Sequence, residues 1–459
     1  MEKKENFSSR LGFILISAGC AIGIGNIYKF PIWTGAYGGG IFVAIYLAFL
    51  LLLGIPVMTC ELAVGRASKA SIASSFERLE KKGSKWHLWQ YVGIIANYML
   101  MMCYTVICGL FTVYFFKYMD GSITAAKTVA EASEIWGATF TSFQTNYLAT
   151  MFVIIVCLAV CGFGLRNGVE RITKVMMVIL FLLLIGLSIY SLTLPGAKEG
   201  LSFYLVPSAE KAVEAGWTSV ISHAMSQAFF TLSLGIGSIA IFGASIGKER
   251  RLLGETVTIV GLDTFVALMA GLFLFPAFFT FNPGGTIAAG DGNALFLFVT
   301  ESVVFNNMAG GRIIGCLFFL LMVFACYSTV IAVMENIVNF WLEKTKLKRW
   351  TIVLINIGLF FILILPAIFA QCDTFGLGSF KILGMTMDGF EDWFVGNMCL
   401  PIGSLIYVLF CVTRYGWGWS NYFDEVNAGK GLAVPRWIKN YMKYVLPIII
   451  LVVVVMNFI

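Results

Sequence analysis

Charge is what this chain has least of. Only 12% of its 459 residues are Asp, Glu, Lys or Arg, against 59% hydrophobic residues, and the mean hydropathy is +0.88. A surface of that composition cannot face water on every side, which excludes a soluble globule and leaves a polytopic membrane protein built as a single bundle. A disulfide framework is missing too. The 11 cysteines are scattered mostly through apolar stretches and the loop near 119–144 has none, so they read as small apolar fillers. No cleavable leader is expected, because the first apolar stretch is too long and has no small-residue cleavage site. A second aspartate at mid-membrane to face Asp263 is absent, and Gly290-Asp291-Gly292 falls in a loop, which argues against an intramembrane aspartyl protease. The chain is therefore not expected to be an enzyme, and no catalytic residue or organic cofactor is assigned.

What is present is a series of apolar runs, each long enough to cross a bilayer, for which about 20 residues suffice. They lie near 11–36, 40–66, 86–118, 145–164, 167–194, 220–246, 253–281, 308–343, 350–371, 392–413 and 441–458, giving eleven expected helices. The third and eighth exceed what a span needs and should tilt or project from the membrane. Basic residues fall on alternate loops, and with the N-terminus in the cytoplasm 24 of the 31 Lys and Arg lie inside. The net charge of +6 then reflects topology and not a nucleic-acid partner. Eleven spans place the C-terminus outside, in the cytoplasmic (inner) membrane of a prokaryote.

Two spans are interrupted where a membrane helix ought to be continuous: Gly19-Cys20-Ala21-Ile22-Gly23-Ile24-Gly25-Asn26 in the first, and Phe230-Thr231-Leu232-Ser233-Leu234-Gly235-Ile236-Gly237-Ser238 in the sixth. Each glycine costs a helix about 1 kcal/mol relative to alanine, and a freed carbonyl in hydrocarbon costs several more unless something coordinates it. One interruption per half of the chain points to a secondary transporter with its sites at the bilayer midplane. The spans divide into two inverted repeats of five, 1–194 and 220–413, with 441–458 appended. The broken helices then hold equivalent places, as do the third and eighth helices, which should line the site.

The half-helix N-termini suit a carboxylate, and the freed carbonyls suit a hard cation. Candidate oxygens are the carbonyls of Gly19, Ala21 and Ile22, the side chains of Asn26, Thr231, Ser328 and Thr329, and the acid Asp263. An amino acid zwitterion with sodium fits this inventory. An acid at helix centre carries an insertion cost of roughly 2.5 to 3.5 kcal/mol, so Asp263 requires a partner, the bland alternative being a neutral, hydrogen-bonded acid. Glu61 and Glu335 read as structural.

These residues also match a known pattern. The stretch Arg10-Leu11-Gly12-Phe13 through Gly23-Ile24-Gly25-Asn26-Ile27-Tyr28-Lys29-Phe30-Pro31, with Gly38-Gly39-Gly40 and Gly54-Ile55-Pro56, resembles the first two helices of neurotransmitter:sodium symporters. Phe229-Phe230-Thr231-Leu232-Ser233-Leu234-Gly235 resembles their sixth helix and Phe324-Ala325-Cys326-Tyr327-Ser328-Thr329 their eighth, and the likeness runs to about residue 415. The resemblance implies an all-α polytopic membrane protein with the leucine-transporter fold, a 5+5 inverted repeat plus an eleventh helix. It implies a sodium-coupled symporter working by alternating access, most like bacterial carriers of hydrophobic amino acids.

Carried over position by position, the first of two sodium sites would comprise the Ala21 carbonyl, Asn26, Thr231, Asp263 and the carboxylate of the substrate. The second would comprise the carbonyls of Gly19, Ile22 and Ala325 with the hydroxyls of Ser328 and Thr329. The substrate would be held by Ala21, Ile24, Gly25, Leu100, Tyr104, Phe230, Thr231, Ser233, Ile236, Thr329 and Val333, with the Tyr104 hydroxyl donating to its carboxylate. Such an apolar wall separates substrates by only about 1 to 3 kcal/mol per methylene, which leaves selectivity among leucine, methionine and aromatic amino acids broad.

Departures from the family pattern carry their own expectations. Gly23 stands where carriers of monoamines have an aspartate, so the substrate must bring its own carboxylate. Asp263 replaces an asparagine, and Ala267 the serine that binds chloride, which implies chloride independence. Lys29 replaces an arginine at the outer gate, opposite Asp392 and supported by Gln227. Lys4 and Glu343 occupy the inner ion pair, with Phe7 in place of a tryptophan. Two other readings stay open: a carrier of another amino acid or small osmolyte, and, from another class, an ion channel, which would have no use for a pocket with Tyr104 and Phe230.

Overall fold

The computed structural model describes Phe7 and residues 9–282 and 296–456. Asn6, Lys4 and Gly290-Asp291-Gly292 lie outside the described residues. Among the described residues eleven helices form the bundle. Nine are continuous: α2 (Gly40–Ser68), α3 (Trp86–Asp120), α4 (Phe143–Gly162), α5 (Leu165–Ser191), α7 (Leu252–Phe281), α8 (Gly311–Lys344), α9 (Arg349–Gln371), α10 (Met387–Val412) and α11 (Ile438–Met456). Two are broken: α1 (Arg10–Ala21 and Gly25–Ala36, bent by 53°) and α6 (Trp217–Thr231 and Ala240–Ala244).

α8 is the most enclosed of the continuous spans, with 78% of its apolar window buried, whereas α11 keeps only 24% of its window inside and turns the rest to lipid. At about 1.5 Å per residue, the 34 residues of α8 are longer than a hydrocarbon core of about 30 Å requires. The exposed leucines, isoleucines and phenylalanines of α9, such as Leu354, Ile355, Leu359 and Ile362, are a lipid-facing stripe rather than a folding fault.

Local sequence explains where the helices start and stop. The Ser9 hydroxyl accepts from the Gly12 N–H at 3.1 Å and caps α1. Pro31 falls in the second arm of α1 where the wide helical turn Gly25–Lys29 tightens into the α-helix Phe30–Ala36. In α6 the break spans residues 232–239, close to the stretch 230–238 that the sequence marks, and the second arm has only five residues. The cause is backbone geometry. Gly235 and Gly237 adopt φ of 92° and 81°, Ser233 takes 50°, and a Cβ on Gly235 would lie 2.7 Å from the Ser404 N of α10. Only glycine allows that approach.

At the basic-rich face Arg66, fully buried at the end of α2, donates through Nε to Glu425 Oε1 at 2.7 Å and through Nη2 to the Glu425 carbonyl. Lys248 reaches the other oxygen of Glu425 at 2.7 Å, which pins the short helix Trp419–Val426 against α2 and the α6–α7 connection. Arg10, at the start of α1, contacts both oxygens of Glu255 on α7 at 3.0 and 3.1 Å.

Candidate transport site at the two helix breaks

At the α1 break, between Ala21 and Gly25, two freed N–H groups find side-chain partners. The Gly23 N–H donates to Asn26 Oδ1 at 3.0 Å, and the Ile24 N–H donates to the Tyr104 hydroxyl of α3 at 3.0 Å. Asn26 turns its other end to α7, where Nδ2 donates to Asp263 Oδ1 at 2.8 Å and to the Asp263 carbonyl at 3.1 Å. The Thr231 hydroxyl, from the last turn before the α6 break, reaches both carboxyl oxygens of Asp263 at 3.1 and 3.2 Å. Asp263, Asn26 and Thr231 are all buried, so the acid at mid-membrane has the partners its insertion cost demands.

A second oxygen cluster lies between α1 and α8. The Thr329 hydroxyl sits 3.2 Å from the Gly19 carbonyl, 3.3 Å from that of Ile22 and 3.4 Å from that of Ala325. The Ser328 hydroxyl sits 2.9 Å from the Ala325 carbonyl and 3.5 Å from the Ile22 carbonyl. Five oxygens converge there without an acid. Among the described residues no group of three or more His, Cys, Asp or Glu could hold a metal ion, so the donor chemistry suits an alkali cation and not a transition metal.

Between the clusters lies a small cleft lined by Ala21, Gly23, Gly25, Leu100, Tyr104, Phe230, Ser233, Thr329 and Leu400. Seven of these are residues that sequence reasoning assigned to the substrate. Ile24, Thr231, Ile236 and Val333 do not open on it. They are buried, the Thr231 hydroxyl is turned to Asp263, and the Ile236 carbonyl is held by Asn97 Nδ2 at 2.9 Å. Gly23 and Leu400 were missed as lining. A Cβ on Gly23 would lie 2.5 Å from Thr329 Oγ1 and against the Tyr104 hydroxyl, so this wall has no room for a side chain.

Over the cleft, toward the face opposite the basic one, Lys29 Nζ contacts both oxygens of Asp392 at 2.8 and 2.7 Å and lies 3.8 Å from the centre of the Phe230 ring. Gln227 Nε2 donates to the Gly25 carbonyl at 2.6 Å. At the basic face, Glu343 accepts from the Ser71 N–H at 2.7 Å and the Ser74 hydroxyl at 2.9 Å, and Phe7 packs edge-on against Phe13 with centroids 5.6 Å apart.

Glu61, read from the sequence as structural, has a definite structural task. It is not a bystander: its Oε2 accepts from the Gly235 N–H at 2.9 Å and its Oε1 from the Ile239 N–H at 3.1 Å, spanning the unwound stretch of α6. Trp89 Nε1 donates to the Gly235 carbonyl at 3.1 Å and completes the frame. A lone acid in an apolar span, the signal that marked Asp263, also marked Glu61. Glu335, by contrast, pairs with Arg349 at 2.9 Å as a structural reading requires.

Two broken helices meeting at a small enclosed cleft, with acid-bearing and acid-free oxygen clusters beside it, define a secondary transporter. The chain belongs to the sodium:neurotransmitter symporter family, whose model matches residues 4–136 and 138–459. It is 32% identical over 418 residues to the uncharacterized sodium-dependent transporter YhdH of Bacillus subtilis, covering 89% of this chain and 88% of that protein. It is 28% identical to a Haemophilus influenzae sodium-dependent transporter, over 99% of this chain and 98% of that one. A crystal structure of MhsT in complex with L-phenylalanine superposes with a TM-score of 0.87 at 31% identity, covering 99% of this chain and all of that one. The fold is the leucine-transporter fold, and the protein is a multi-pass membrane symporter of a sodium-dependent family, not an enzyme.

Proposed function

We propose that this symporter imports hydrophobic and aromatic L-amino acids, driven by two sodium ions and independently of chloride. The observation that carries the reading is the Asp263 cluster at the α1 break, an acid fixed by Asn26 and Thr231 one wall away from the cleft that holds Tyr104. A sodium ion there would be shared by Asp263, Asn26, Thr231 and the Ala21 carbonyl together with the carboxylate of the substrate, so that each ligand neutralises and orients the other. The second ion would sit among Gly19, Ile22, Ala325, Ser328 and Thr329. Tyr104, which accepts from the Ile24 N–H, would donate its own proton to that carboxylate. A fixed acid at 263 and an alanine at 267 supply the negative charge without an anion site.

In this reading the basic-rich face is cytoplasmic, the membrane is the prokaryotic inner membrane, and Lys29 with Asp392 forms the outer gate, supported by Gln227. Glu343 and Phe7 stand at the inner gate. Residues 1–194 and 220–413 act as the two repeats.

The energetics suffice. One charge crossing 100 mV supplies about 2.3 kcal/mol and a tenfold sodium gradient adds about 1.4, so two ions give roughly 7 kcal/mol, or about 10⁵-fold accumulation of a zwitterion. The test is uptake of labelled leucine and tryptophan into proteoliposomes under an inward sodium gradient, with potassium replacing sodium as control. Accumulation that needs sodium and persists when gluconate replaces chloride is expected. A collapse in gluconate would refute chloride independence, and competition only by other solutes would move the substrate to another amino acid or an osmolyte.

A further inference from the structure

Eight acids are buried among the described residues, and six have partners. Glu61 holds backbone amides, Asp263 holds Asn26 and Thr231, Glu170 pairs with Lys174, Glu255 with Arg10, Glu335 with Arg349, and Glu425 with Arg66 and Lys248. The remaining two, Glu301 and Glu391, have neither carboxyl oxygen in a hydrogen bond. Both lie at the face opposite the basic one. Glu301 is fully buried in the connection between α7 and α8, near Tyr118, and burial holds its carboxyl well above the usual carboxylate range.

Glu391 differs from Glu301 in its neighbour. It is 2% exposed, near the start of α10, and the next residue is Asp392, whose carboxyl grips Lys29 at 2.7 Å. Glu391 shares a helical turn with Asp392, so a motion of α10 that draws Asp392 off Lys29 would carry Glu391 with it and open it to water. A buried carboxylate without a partner costs several kcal/mol, a cost absent in water. The titratable and charged groups in reach are Asp388 and Asp392 on its own helix, Cys103 on α3 and Lys29 on α1. None is a cation bonded to Glu391, since Lys29 is held by Asp392.

We propose that Glu391 is a proton-binding site that latches the outer gate: it carries its proton while Lys29 and Asp392 are joined and releases it to the outside when they part. The proposal rests on reading that pair as the gate. The sign follows from linkage. The shut state binds one proton more than the open state, so external acid favours the shut state, by up to about tenfold per pH unit. A cation-driven carrier would thereby slow its outward opening in acid surroundings.

Cys103 is half-buried beside the gate and serves as a native reporter, with the half-buried Cys372 as internal reference. The experiment is labelling of the full-length transporter in proteoliposomes with a membrane-impermeant thiol reagent, the two cysteines being quantified by peptide mass spectrometry. Between about pH 8 and about pH 5.5 outside, the Cys103-to-Cys372 ratio is expected to fall about tenfold or more in the wild type. In Glu391→Gln it is expected to stay flat near the acid value, and in Lys29→Ala it should be high at both pH values. An ionised Glu391 acting on the thiol only through space would slow labelling at high pH, the opposite sign. A wild-type ratio that is flat or rises in acid, or a Glu391→Gln variant that keeps the full slope, overturns the proposal. A Lys29→Ala variant that labels like wild type at acid pH overturns the gate reading and the latch with it, whereas high labelling there with a flat wild type removes the latch alone.

Discussion

The two breaks differ in what satisfies them. At α1 the interruption is short, and its freed groups meet partners that could yield to a ligand: a tyrosine hydroxyl, an asparagine amide, and the hydroxyls of Ser328 and Thr329 on a separate helix. At α6 the interruption covers residues 232–239 and is locked by Glu61, Trp89 and Asn97, whose bonds leave the peptide little freedom. Breaking a helix thus serves two ends in one bundle. One break presents oxygens that hydroxyl protons now bridge and that a cation would take in the proposed reading, and the other builds a fixed wall beside them.

The sharpest way to break this contrast is Asp263→Ala. Removing one member of a buried charged network costs about 3–5 kcal/mol, so sodium-dependent substrate binding should fall by 100-fold or more. Scintillation proximity binding across a sodium titration checks it, and unchanged sodium dependence would remove Asp263 from the ion site. Glu61→Gln should act on the other side of the contrast. An amide nitrogen facing peptide N–H groups leaves donors opposed, at a cost of about 1–3 kcal/mol in thermal stability, while the apparent sodium affinity of the folded fraction moves little. A large shift in sodium affinity with unchanged melting would show the frame to be part of the ion site.

Thr329→Val deletes the hydroxyl nearest three carbonyls at nearly constant volume. A loss of about 1–2 kcal/mol, or roughly 5- to 30-fold in apparent sodium affinity with a reduced Hill slope, is expected in uptake assays. Trp89→Phe should be mildest, with about 0.5–1.5 kcal/mol of stability lost with the Gly235 bond and selectivity unchanged. A changed substrate order in a competition panel would make the α6 wall less fixed than argued.

Much of this was legible in the sequence, because hydrocarbon forbids unsatisfied backbone. Glycine clusters at 19–25 and 235–237 could only be breaks, and a lone acid at 263 had to be partnered. What stayed hidden were the partners themselves. Glu61 was visible as an acid, yet nothing in its neighbourhood says that it spans from Gly235 to Ile239, a choice made by how α2 packs on α6. Leu400 and Asn97 look like any leucine and asparagine in a span until α10 and α3 are placed. The α6 break itself falls close to where the sequence marks it, but the positive φ at Ser233 inside it shows in no residue preference. The Arg10–Glu255 pair joins residues 245 apart in the chain, beyond the reach of any local pattern.

The crowding around Gly23 sets a limit on redesign. Monoamine carriers place an aspartate at that point, and it is tempting to treat amine recognition as a single exchange. Here the Tyr104 hydroxyl and Thr329 Oγ1 already fill the space that the first carbon of such a side chain would take. Grafting an amine pocket onto this scaffold therefore means trimming α3 and α8 together with α1, and the trimmed residue on α8 is one of the five oxygens of the second cluster. With the proposed ion at that cluster, a change of substrate chemistry would also be a change of ion binding.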